Sequence, residues 1–129
     1  MLQFAPDLDS NGSHYASFDF FVNNGKGTIT VLAGEPSSYT LGGGALAPTD
    51  AIIADSDNFG PGGTVSSEIT VLGTSSIINA AYLSQGDVIF DGFTGDNRWT
   101  TSELTTLDNW IQAGGILIST SDNANYDPL

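Results

Sequence analysis

Cysteine is absent from the 129-residue chain, and cationic side chains nearly so: Lys26 and Arg98 stand against fifteen acids, with His14 the single imidazole. The missing thiols exclude a disulfide frame, a cysteine nucleophile and a zinc–sulfur site. A formal net charge of −13 excludes nucleic acid as a partner, because nothing neutralises a row of phosphates. It equally disfavours anionic membrane surfaces. No apolar run approaches the ~18 residues of a membrane span, so no membrane insertion is expected. The first residues hold neither a basic n-region nor an apolar h-region, so no signal peptide is visible.

What is present is acid of one kind. Twelve Asp stand against three Glu, beside sixteen Gly. Asp, Asn and Gly favour turns and tolerate unusual backbone angles, so the acid is expected in loops rather than along helix faces. Apolar residues make up 40% of the chain, enough for a folded core.

Residues 14–22, HYASFDFFV, alternate, with Ala16, Phe18, Phe20 and Val22 on one side. NNGKG (23–27) signals a turn, and TITVLA (28–33) is a β-branched run. The pair predicts an N-terminal β-hairpin over 14–33. Residues 37–49, rich in Gly and Pro, read as a linker. Beyond it DAIIAD (50–55), EITVLG (68–73), DVIFDG (87–92) and GILIST (115–120) are short continuous apolar runs. Such runs suit strands of a parallel sheet covered on both faces. The clearest helix is 101–113. Thr100 and Glu103 form a capping box, Leu104, Leu107, Trp110 and Ile111 share a face, and Gly114–Gly115 supply the stop. A βαβ unit over 87–120 follows, with right-handed connection. Residues 77–84 suggest a further short helix or turn. The expected fold class is α/β: a short, mostly parallel sheet with that βαβ unit and the N-terminal hairpin, forming an incomplete domain. The expected segments are 1–36, the 37–49 linker, and 50–129.

Two acidic constellations carry chemistry. PDLDSNG (6–12) puts Asp7, Asp9 and Asn11 at the alternate positions of a calcium loop closed by Gly12. The twelfth loop position holds Phe18 instead of the bidentate Glu, so a site there must borrow a ligand such as Asp19; the bland alternative is an Asx turn. Asp55, Asp57, Asn58, Asp91, Asp122 and Asn123 lie in three loops expected after strand C-termini, where open parallel sheets bind ligands. Converging there, they suit calcium or the hydroxyls of a carbohydrate; alternatively they are only good turn formers. Ser-His-Asp catalysis lacks a G-x-S-x-G elbow. The Gly-rich stretches lack the G-K-[ST] ending of a phosphate loop. Trp99 either stacks on a sugar or staples the start of the helix.

APDLDSNGSHYASFDFFVNNGKGTITV resembles the end of a cadherin-like or Ig-like repeat of large bacterial surface proteins, which implies a secreted, calcium-supported β-module. YLSQGDVIFDGF…WTTSELTTLDNWIQAGGILIST resembles the class I glutamine-amidotransferase-like, flavodoxin-like α/β unit. The cysteine nucleophile of that family's active members is missing, which implies a non-catalytic relative. The overall composition, poor in Lys and Cys and rich in Ser, Thr, Asn, Asp and Gly, also resembles large secreted bacterial proteins. The expectation is therefore a non-catalytic binding or scaffold segment of a secreted bacterial surface protein. It would sit extracellularly or at the cell surface, with calcium as ligand and carbohydrate or the rest of a larger polypeptide as partner. The alternatives are a fragment of a hydrolase or transferase with an acidic site at the strand C-termini, and a purely structural domain.

Overall fold

The computed structural model describes residues 27–92 and 99–119. Four short aliphatic runs form strands: β1 (Thr28–Leu32), β2 (Glu68–Leu72), β3 (Val88–Asp91) and β4 (Ile116–Ser119). They make one sheet in the order β2-β1-β3-β4, every pair parallel. Thr28 stands opposite Glu68, Val31 opposite Val88, and Asp91 opposite Ser119. The helical elements are a 3-10 turn (Gly44–Leu46), α1 (Ala47–Ile53), α2 (Ala80–Leu83) and α3 (Thr101–Gln112). This is a mixed α/β fold, as the apolar runs imply.

The period of two along each strand divides the core into halves. Ile29, Val31, Val88, Phe90 and Ile118 face Leu46 and Ile53 of the 3-10 turn and α1. Leu32, Ile89 and Leu117 face Leu83 of α2 and Leu107 of α3. Strand direction explains the split. The chain steps from β1 to β2 one way across the sheet, then from β2 over β1 to β3 and on to β4 the other way. Crossovers of constant hand put the helices of opposite steps on opposite faces. The result is a doubly wound layer arrangement whose strand order begins as the flavodoxin-like one does.

The βαβ unit behaves as its local signals dictate. The Thr100 hydroxyl accepts from the Glu103 N–H, and the Glu103 carboxylate accepts from the Thr100 N–H, a complete capping box. Leu107 is buried, Trp110 and Ile111 half-buried, and Leu104 lies at the exposed margin of the stripe. Gly114, at φ 108°, ends the helix.

Two expectations change. DAIIAD is not a strand: Ala47–Ile53 is α1, with a proline in its first turn. Proline's fixed φ suits that position, and a short apolar run cannot by itself separate strand from buried helix. TITVL is a strand, but an inner one. It pairs in parallel with β2 on one side and β3 on the other, rather than standing in a two-strand ribbon. The first half of the expected hairpin, 14–22, lies outside the described residues. The stretch expected as a linker, 37–49, holds the turns and the 3-10 helix that lead from β1 into α1.

Candidate functional site

Neighbouring strands β1 and β3 send their connections to opposite faces, so the crevice of this sheet opens at their C-terminal ends. Gly34 and Glu35 follow β1 there, and Asp91 and Gly92 close β3. The chains approach too closely for side chains at two positions. A Cβ on Gly34, whose φ is +73°, would lie 2.5 Å from the Phe90 carbonyl oxygen. One on Gly92 would lie 1.9 Å from the Tyr39 carbonyl oxygen. At these two positions the described strand exits pack backbone against backbone.

Single side chains then tie the ends together. The Tyr82 hydroxyl accepts from the Gly34 N–H at 3.1 Å and donates to the Gly73 carbonyl at 3.0 Å. One phenol of α2 thus joins the exits of β1 and β2. Its burial raises the Tyr82 pKa, and the bond from Gly34 offsets part of that rise. The Thr40 hydroxyl donates to the Ala33 carbonyl. Asp91 is wholly buried, 0% exposed, and accepts from the indole N–H of Trp99 at 3.2 Å. Trp99 belongs to the core half beneath α2 and α3, which removes it as a sugar-stacking surface.

Open space lies beside these exits. A cleft of about 460 Å³ runs between the turn Ser76–Asn79 and the first turns of α3, with Glu35 on its lining. Glu35 is only 6% exposed. The two walls are stitched by Glu103. Its Oε1 accepts from the Ile78 N–H at 3.0 Å. Its Oε2 accepts from the Thr100 N–H at 2.9 Å and the Thr100 hydroxyl at 2.7 Å. The bonds from Thr100, and then that from Ile78, lower the Glu103 pKa because they favour the charged form.

Of the residues expected to converge, the described ones fall in two places. Asp55, Asp57 and Asn58 follow α1, not a strand, on the side of the sheet that α1 covers. There they build a turn: the Asp57 N–H donates to Asp55 Oδ1 at 2.9 Å, and the Asn58 side-chain amide donates to the Ile52 carbonyl. Asp91 points to the opposite side, toward Trp99. Asp122 and Asn123 lie outside the described residues, as do Asp7, Asp9, Asn11 and Asp19. Among the described residues no group of three or more His, Cys, Asp or Glu could hold a metal ion. No described helix is long and apolar enough to cross a membrane. Sequence reasoning missed Glu35 and Glu103 as lining groups. The capping box did mark Glu103, though only as a helix start; Glu35 gave no signal within its Gly/Pro/Ser surroundings.

No family model, curated protein or solved structure matches the chain.

Proposed function

We propose that the chain is a non-catalytic binding or scaffold segment of a secreted bacterial surface protein. One observation carries this: among the described residues at the strand exits, Gly34 and Gly92 bring backbone against backbone, and Asp91, the acid that ends β3, lies inside the core against Trp99. The described cleft at Glu35 is lined by hydroxyls, an amide, carboxylates and two isoleucines, a lining that offers hydrogen-bond donors and acceptors to a ligand. Calcium remains the proposed ion, and its proposed ligands Asp7, Asp9, Asn11 and Asp19 precede the sheet. The competing hydrolase or transferase reading needs Asp55, Asp91 and Asp122 in one cleft, and Asp55 and Asp91 belong to opposite sides of the sheet.

Calorimetric titration of the full chain with calcium, paired with thermal melts, tests the ion. The expected result is binding with Kd in the millimolar range or tighter, about −4 kcal/mol or more, and a melting point that rises with calcium. Neither heat nor shift at ~10 mM calcium, about ten times a 1 mM Kd, sinks the calcium reading. Turnover of ester, phosphoester or glycoside reporters, abolished by Asp91→Asn, replaces the binding reading with the enzyme one.

A further inference from the structure

We propose that the cleft between Ser76–Asn79 and α3 binds a neutral saccharide. The inference rests on the binding-segment reading and gives that segment a second ligand, separate from calcium. The volume, about 460 Å³, falls in the range of small-molecule sites. The chemistry of the lining then narrows the class. Ser76, Asn79, Ser102 and Thr106 bring hydroxyls and a carboxamide, groups that both donate and accept. Two carboxylates on the described lining, in a chain of net charge −13, repel anions.

Cations are disfavoured for a different reason. The Glu103 carboxylate is held by hydrogen bonds from both walls. With Glu35 it makes two carboxylates on the described lining, too few for a divalent ion that takes six or more oxygens. A neutral ligand rich in hydroxyls fits this lining, on which Glu35 places a buried carboxylate. Ile77, 60% exposed on the lining, offers an apolar surface for the C–H face of a sugar ring. Because Glu103 bonds to Ile78 on one wall and Thr100 on the other, the walls are held before the ligand arrives, which lowers the ordering cost of binding.

Ligand-observed NMR on the full chain tests this with neutral probes: glucose, galactose, mannose, N-acetylglucosamine and their β-linked disaccharides. At least one is expected to bind with Kd in the millimolar range, about −4 kcal/mol, with or without calcium. Ser102→Tyr, which fills the cleft from an exposed helix position, is expected to weaken that binding about tenfold or more. Ile77→Ala, at a position too exposed to disturb folding, is expected to weaken it about threefold; it decides the matter should the tyrosine variant unfold. Binding by none of the probes, binding unchanged in the folded variants, or binding that requires calcium overturns the cleft assignment and leaves the calcium reading standing. Cleavage of a bound disaccharide overturns the non-catalytic reading and leaves the cleft assignment standing.

Discussion

Tyr82 concentrates the stability of the sheet's exit into one atom. Its hydroxyl oxygen serves both the Gly34 N–H and the Gly73 carbonyl, so Tyr82→Phe leaves a donor and an acceptor to find water. The expected loss is about 1–3 kcal/mol, read from urea melts of the two proteins. The loss should also depend on pH. Burial, the larger influence, places the folded Tyr82 pKa above the usual 10.0. A raised pKa means stability fully present below the unfolded value and lost as pH rises through the folded one. The gap between wild type and Tyr82→Phe should therefore hold constant below pH 10 and shrink above it. A gap that widens in alkali would contradict the assignment.

Helix α3 takes its start from a capping box, and here the direction of the pH effect reverses. Glu103 has a lowered pKa because Thr100 and Ile78 bond to its charged form. Its stabilisation is present above the usual carboxyl value of 4.5 and disappears as pH falls through the folded value. Glu103→Gln should melt lower than wild type at neutral pH, and the two should converge in acid. Thr100→Ala should cost about 1 kcal/mol through loss of the cap. This helix was legible in the sequence because its determinants are local: cap, stripe and glycine stop sit within one stretch. The opposite holds for α1, where AIIA flanked by Asp50 and Asp55 satisfies a strand and a buried helix equally, and only the sheet it covers decides. TITVL was recognisable as a strand. Its partners were not, since a nearby turn signal pointed backward to 14–22, while the strands it pairs with lie far downstream.

At the scale of the whole molecule, charge of one sign sets an unfavourable background. Among the described residues acids occur without a single Lys, Arg or His, and the full chain carries −13. Self-repulsion of this kind weakens a compact state and is screened by salt. Raising sodium chloride from about 10 mM to 500 mM, a Debye length falling from roughly 30 Å to a few Å, should raise the melting temperature; a flat or falling trend would show that the acids are locally compensated. The same dispersion of charge explains what the sequence concealed about the site. Asp91 could be placed at a strand end from its apolar run, but nothing marked it as the acid turned inward to Trp99. Glu35, with no neighbouring pattern, becomes a lining group only once α3 is packed against the sheet. The parallel pairing of β1 has a further effect in time. Thr30 and Asp87, which bond across its edge, are 57 residues apart, and its other neighbour begins only at Glu68. Long loops must close before such contacts form, and that slows folding. In a chain emerging from the ribosome, the central strand therefore waits with its apolar rows uncovered until most of the sequence has followed it. The unit from β3 through α3 to β4, the most local in sequence, is the part best placed to fold as it appears.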